Sequence, residues 1–338
     1  MPFYLVIMKN KELSANTEIK LDLKDKKILF ELDFHARLSY SELARKVGLS
    51  KQGVEYKVNN LIKKGIIKGF YPVLNVPELG YLYCRLPVSL HNATKEKQEE
   101  IIKYLREHPK VFWLLEMQGQ YDLLMVIWAK SVTEFKEFIE EVEGKYGDYI
   151  KKKASVIATD VIHFQHRYLL EKKETQEIHL QETAQRVALD TIDKDILSAL
   201  SINARLSLVE ISQKIKQSAK VVSYHIQRME KIKFIIGYRP IIDHNKLGFT
   251  YYKLFISLNR ISAEEMRKLK TYLKLSYLVI YLVEAVGNPA DIDIEVMVHS
   301  NQQLFSFIND LKFKFPALIG EYTAIMYLDT LKVKYLPF

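Results

Sequence analysis

Apolar residues recur first at helical and then at alternating spacing, and the chain runs through this order twice. Over 25–34, Ile28, Leu29 and Leu32 share one face, which predicts a helix. Ser39 is placed to cap a second short helix, with Glu42 as its reciprocal partner; that helix buries Leu43 and Val47 and ends at Gly48. Ser50 caps a third helix running to Lys64, and Gly65 closes it. Helix, helix, tight turn, helix is the helix-turn-helix arrangement. Two β-rich stretches, 66–70 and 71–76, follow in the manner of a wing. Alternation then predicts a strand over 81–90, a helix over 95–107, strands over 111–117 and 121–128 around Gly119, a helix over 132–143 and a strand over 155–166. The order βαββαβ is the ferredoxin-like plan, one sheet with two helices on one face. Its other face is apolar and needs a partner.

Displaced by 168 residues, 21–81 aligns with 189–249 without a gap. LDLKDKKIL meets LDTIDKDIL, HARLSYSELARKV meets NARLSLVEISQKI, and SKQGVEYKV meets SAKVVSYHI. The tetrapeptide ARLS stands at 36–39 and again at 204–207, and the βαββαβ order recurs over 251–334. This is an internal duplication of a domain pair. The expected fold class is α+β, two winged helix-turn-helix domains and two ferredoxin-like domains in tandem. The expected boundaries are a tail over 1–20, a helix-turn-helix domain over 21–76, a ferredoxin-like domain over 77–166, a charged helical connector over 167–188, and the second pair over 189–244 and 245–338. The opening MPFYLVIMKN is too short a run for a signal peptide and reads as a strand or an unstructured tail.

Composition narrows the class. With 48% hydrophobic residues the chain can bury large cores. Cys84 is the single cysteine, so no intrachain disulfide or cysteine zinc site can form, and a reducing cytoplasm is expected. No apolar run is long enough for a membrane span. The net charge is +9, of which residues 18–70 carry +5 and residues 186–238 carry +4. Two basic modules on neutral supports are the electrostatic pattern of a nucleic-acid binder.

On the third helix Val54, Val58 and Leu61 point inward and Gln52, Tyr56, Asn59 and Lys63 outward. In the second copy Val222, Ile226 and Met229 are inward and Lys220, Tyr224, Gln227 and Lys231 outward. Amides pair with adenine edges, lysines with guanine or phosphate, and tyrosine with phosphate or a thymine methyl. Ser50, Lys51 and Lys57 in copy one, with Ser218, Ser223, His225 and Arg228 in copy two, complete the candidate contacts; His225 and Arg228 flank the outward face. Any surface helix carries solvated polar groups, and it is the charge placement with the turn geometry that favours DNA. Gly53 costs this helix about 1 kcal/mol relative to alanine. Val221 replaces it in copy two.

The pattern LDxxDxxIL…ARLSxxELARKVGLSxxxVxxxVxxLxxxGII, followed by βαββαβ with GQYDL after the second strand, resembles the Lrp/AsnC family of transcription regulators. The resemblance covers nearly the whole chain, twice. It implies double-stranded DNA as partner and pairing of units through the βαββαβ domain, so that two recognition helices reach successive major grooves about 34 Å apart. A tandem chain would be a built-in dimer whose unlike heads read an asymmetric operator, and such pairs would self-associate further. The resemblance also implies an amino-acid effector near the loop with Gly119, Tyr121 and Asp122, and by position Gly287 and Asp291. Copy two departs there, with Asn-Pro-Ala between Gly287 and Asp291 making its loop one residue longer. The plainer reading is that Gly119 makes the β-turn and Asp122 caps it.

A related branch of this fold decarboxylates sirohaem, sometimes as two fused units. It carries a Phe-Pro stretch in place of ARLS and histidines in the second domain. Here ARLS is intact twice. His163 and His166, three apart on a predicted strand, would face opposite sides, which suits one metal poorly. No phosphate loop, carboxylate pair or nucleophile elbow stands out, and Cys84 sits among alternating apolar residues. A non-enzyme without catalytic residues, cofactor or metal is expected. The alternatives are a sirohaem-decarboxylase-like enzyme and a small-molecule sensor that does not bind DNA.

Overall fold

Reciprocal capping boxes start the helices that open both heads. In the computed structural model, which describes residues 18–338 apart from 174, 175, 182–185, 260, 261 and 288, Asp22 and Asp25 start α1 (Leu23–Leu32). Asp190 and Asp193 start α6 (Thr191–Ile202) in the same way. Ser39 with Glu42 starts α2 (Tyr40–Val47), and Ser207 with Glu210 starts α7 (Leu208–Ile215). Ser50 caps α3 (Lys51–Lys63) and Ser218 caps α8 (Ala219–Lys231). Gly48 ends α2 with φ 66°; at the matching place Lys216 adopts φ 55°, a left-handed conformation that costs a side-chain-bearing residue about 1–2 kcal/mol. The strand or tail expected over 1–10 lies outside the described residues.

The expected wing is something else. Residues 66–76 hold one long strand, β1 (Ile67–Leu74), and its partner is β8 (Ile235–Ile242) of the other copy. The pair forms a separate two-stranded antiparallel ribbon. Tyr71 lies opposite Arg239, 168 residues on, so a pseudo-twofold axis relating the copies passes through this pair. Pro72 and Pro240 are tolerated because both strands are edge strands of a two-stranded ribbon.

The repeated ARLS segments clasp one another beside this ribbon. Arg37 donates to the carbonyls of Ala204 (2.5 Å) and Leu206 (2.9 Å), and Arg205 donates to the carbonyl of Ala36. Ala36 N–H bonds the Tyr238 carbonyl and Ala204 N–H bonds the Phe70 carbonyl, both at 2.9 Å. One contact breaks the symmetry. Arg239, fully buried, grips Asp33 at the end of α1 through Nε (2.6 Å) and Nη2 (3.0 Å). The counterparts of these two residues are Tyr71 and Ser201.

The two βαββαβ units are β2 (Leu82–Leu90), α4 (Lys95–Glu107), β3 (Val111–Gln118), β4 (Leu123–Ala129), α5 (Val132–Tyr146), β5 (Ile150–Lys153) with β6 (Val156–Phe164), and β9 (Thr250–Leu258), α9 (Ala263–Leu275), β10 (Val279–Val286), β11 (Ile292–Val298), α10 (Asn301–Lys314), β12 (Ile319–Val333). Their last strands bridge the copies. The first half of β12 pairs with β9 of its own copy and the second half with β3 of the other. β6 pairs likewise with β2 and with β10. The ring β2–β4–β3–β12–β9–β11–β10–β6 thus closes back on β2. The helical connector expected over 167–188 is not found in its described part. A single 3₁₀ turn, Arg167–Leu169, leads to β7 (Glu177–Gln181), which adds an edge strand to β6.

Three cores result. α4 and α5 cover one outer sheet face, α9 and α10 the other, and both heads share a single core with the inner faces. The inner faces carry charge. Arg85 and Lys253 occupy matching places, but Lys253 faces Glu295 across its sheet while Arg85 faces Val126. Arg85 reaches instead to Asp293 of the other copy (2.6 Å), which Lys253 shares (2.6 Å).

Between ribbon and inner faces lies a chamber of about 280 Å³. His163 and His166 both line it, contrary to the expectation of opposite faces, because β6 ends at Phe164 and the strand period does not reach His166. His244 joins them. Burial, with Arg239 alongside, holds His163 and His166 well below the ordinary imidazole range. Burial also brings His244 down to about 4, against the pull of Asp243. Tyr168 Oη and His244 Nδ1 share a hydrogen bond of 2.7 Å.

Two outcomes are expected. Asp33→Ala strands a buried guanidinium and lowers the unfolding free energy in urea by about 3–5 kcal/mol. Asp33→Ser combined with Arg239→Tyr, each the residue its counterpart already uses, costs less than the two single replacements summed. Second, the three histidines bind protons only on unfolding, so their contribution is complete above about pH 6.5 and is lost as pH falls from there toward the folded values. The urea midpoint should drop across pH 6.5 to 5, and His244→Asn should flatten that drop.

Candidate nucleic-acid interface

Both recognition helices present the predicted faces. Val54, Val58 and Leu61 are buried under α3, and Val222, Ile226 and Met229 under α8. Gln52, Asn59 and Lys63 are exposed, and Tyr56 stands 72% exposed. Lys220, Gln227 and Lys231 are exposed on α8, and Tyr224 is 63% exposed. A tyrosine this exposed on both helices is available to a ligand surface. Ser50 and Ser218 accept from the N–H groups of Gly53 (3.0 Å) and Val221 (3.2 Å), and Lys51 lies exposed on the first turn of α3. The remaining N–H groups of each first turn suit a phosphate. Ser223 is half-buried.

Three expected contacts are placed otherwise. Lys57 lies at the side of α3 and bonds Asp22 (2.6 Å) and Asp25 (3.0 Å) at the start of α1. His225, its counterpart, is buried rather than outward, and its Nδ1–H donates to Asp193 at 2.8 Å. Arg228 reaches the same carboxylate. In both heads a cationic or donor side chain from the recognition helix thus locks onto the capping box of the first helix. Asp190, Asp193 and His225 come close enough to ligate a cation. Arg228 already pairs with that cluster, and in copy one the Lys57 ammonium pairs with Asp22 and Asp25. The 168-residue alignment of Lys57 with His225 and of Asp25 with Asp193 was the signal that could have found this lock.

The loop residues have local partners. Gly119, with φ 145°, lies where an added Cβ would stand 3.3 Å from the Ala324 carbonyl oxygen on β12. Gly287, with φ 75°, would clash at 2.2 Å with the Ser155 carbonyl oxygen. Each loop therefore passes close to the other copy's bridging strand; a side chain is barred at Gly287 by backbone as well as by φ, and at Gly119 it is strained by φ and tight against the backbone. Asp122 accepts from Leu90 N–H (2.6 Å) and Asp291 from Leu258 N–H (2.7 Å), holding the ends of β2 and β9. Tyr121 is buried beside a void of only about 10 Å³. Sequence reasoning missed the Arg37 and Arg205 clasp, although the exact repetition of ARLS marked it.

Among the described residues no helix is long and apolar enough to cross a membrane. The family described as winged helix-turn-helix DNA-binding matches residues 21–68 and 189–236, and the Lrp/AsnC ligand binding domain matches 84–145. An uncharacterized HTH-type transcriptional regulator of Pyrococcus horikoshii is 31% identical over 145 residues, 43% of this chain and 89% of that protein. The HTH-type transcriptional regulator LrpA of the same organism is 31% identical over 137 residues, 40% of this chain and 96% of its own. Over the full tandem length, the siroheme decarboxylase NirDL, solved with an iron-uroporphyrin III analogue, superposes with a TM-score of 0.61, covering 93% of this chain and 94% of that one. At 11% identity this is a likeness of fold alone. With both heads and the ligand-binding domain matched, and with relatives matched over most of their length, the chain belongs to the Lrp/AsnC family of transcription regulators.

Proposed function

We propose that the chain is a sequence-specific DNA-binding regulator that works as an intramolecular dimer, with two unlike heads reading an asymmetric operator. The observation that carries this reading is the pair of exposed faces on α3 and α8, related by the axis through Tyr71 and Arg239. The faces share Tyr56 with Tyr224 and Lys63 with Lys231 but differ at Gln52 against Lys220 and Asn59 against Gln227, so the half-sites differ in part. The basic charge concentrated in the heads supplies phosphate attraction that falls steeply with salt. Modulation by an amino acid or other small molecule belongs to the same reading, supported by the match of 84–145 to a ligand-binding domain.

Selection of the purified chain on random duplex DNA tests it. The expected winner has two unlike half-sites about one turn apart, and its affinity drops steeply with salt. Gln52→Ala with Tyr56→Ala should relax one half-site, and Lys220→Ala with Tyr224→Ala the other, at a cost of roughly 1–3 kcal/mol for each base edge no longer read. Recovery of no enriched sequence over several rounds would sink the proposal. His225→Lys writes copy one's lock into copy two and should leave operator affinity within about threefold. A loss as large as that of the Tyr224 variant would mean that His225 itself meets DNA.

A further inference from the structure

We propose that the chamber between the ribbon and the closed sheet is a binding site for one small aromatic carboxylate of one or two rings. Size sets the first limit. A cavity of roughly 150 Å³ holds benzene, and this one is about 280 Å³. The walls set the second. Phe112 stacks on Trp128 at 4.3 Å, and Tyr83 stands edge-on to both, at 5.6 and 5.0 Å. That box offers flat apolar faces to a flat guest. It exists at one end only, since the counterparts of Phe112, Trp113 and Trp128 are Ile280, Tyr281 and Met297. One ligand per chain follows.

The polar groups set the third limit. Trp113 and Trp128 both line the chamber, and neither buried indole N–H has an acceptor among the described residues. Lys334 lines the same space, half-buried, with no carboxylate beside it among the described residues. The one acid on the wall, Glu295, is already held by Lys253 (3.0 Å), Tyr327 (2.9 Å) and Tyr251. A cation left over on an aromatic wall calls for an anion with a flat body.

The chamber wall also reaches the first head. Arg239 bonds Tyr281 Oη (3.1 Å) and His163 Nδ1 (3.3 Å), both on the wall, and with its other nitrogens grips Asp33 at the end of α1. A guest that moves Tyr281 or His163 therefore bears on how α1 is held. This coupling, unlike the site itself, rests on the DNA-binding reading.

The chain has two tryptophans and both are on the wall, so its own fluorescence reports occupancy. The full chain is titrated with phenylacetate, 4-hydroxyphenylacetate and 2-naphthylacetate, with leucine and iron uroporphyrin as further arms, and stoichiometry is read by calorimetry. The expected result is saturable binding of an aromatic acid, one per chain, weakened at least tenfold by Lys334→Met and by Val126→Phe, which fills the chamber. Lys334→Met, at a half-buried side chain with no ion pair among the described residues, should leave the thermal midpoint near that of the parent and serves alone if Val126→Phe fails to fold. No saturable response to any aromatic acid, or one untouched by these variants, overturns the site. Binding of leucine or iron uroporphyrin in place of the aromatic acids overturns the ligand class. Operator affinity is then measured with and without the best acid, and a shift of threefold or more supports the coupling. If no operator is found the fluorescence titration still decides the site, so the two readings fail separately.

Discussion

The mutual grip of two strands and two arginines at the pseudo-twofold axis governs how the heads are held. A two-stranded ribbon alone is marginal in water. Here β1 and β8 lie between the heads and the closed sheet, and residues from both heads, the ribbon and the inner sheet faces form one buried cluster. Arg37 and Arg205 each reach into the other copy, so neither head can turn without breaking bonds made by both ARLS segments. The same tetrapeptide appears twice because a clasp across a twofold axis needs the same residues from each side.

Fusion into one chain permits what a symmetric pair cannot have. At the axis a pair of identical subunits would place Arg239 against a second Arg239. In this chain the other position is Tyr71, which stacks on Tyr335 at 4.5 Å. Asp33 and Arg239 form a buried ion pair across the copies, and at the inner faces Asp293 and Glu295 stand where copy one has Leu124 and Val126. A buried pair of this kind adds little net stability but makes the loss of one partner expensive. The copies have become complementary halves, each carrying charges that only the other can neutralise. The same licence to diverge acts on the recognition faces.

Local physics made much of this legible from residues alone. Caps at Ser39 and Ser50 fixed helix starts, and the two periodicities separated heads from sheets. What escaped was non-local or lay at the margin of a rule. The strand after each third helix is plain in the pattern, but its partner is far along the chain, and only Pro72 hinted at a free edge. His225 sits at the border of the helical face, where an angle of about 100° per residue decides little, and the acid waiting at Asp193 decided its burial. His166 lies past the end of β6, where alternation no longer applies. The charged stretch at 177–181 reads as helix but finds an open edge beside β6, and edge strands accept charge readily. For the site, the exposed faces of α3 and α8 were readable, whereas the chamber needed both copies to be in place.

Rigidity of the paired heads is the claim on which the rest turns, and a distance measurement between them tests it most directly. Spin labels at Gln52→Cys and Lys220→Cys report the separation of α3 and α8 by pulsed electron resonance, and Cys84 is buried and does not interfere. Heads locked by the ribbon and the arginine clasp give one narrow distance distribution in the free chain, kept at high salt and on DNA. A broad or two-peaked distribution in the free chain that narrows only on DNA would contradict it, and would mean that the heads ride on the closed sheet independently.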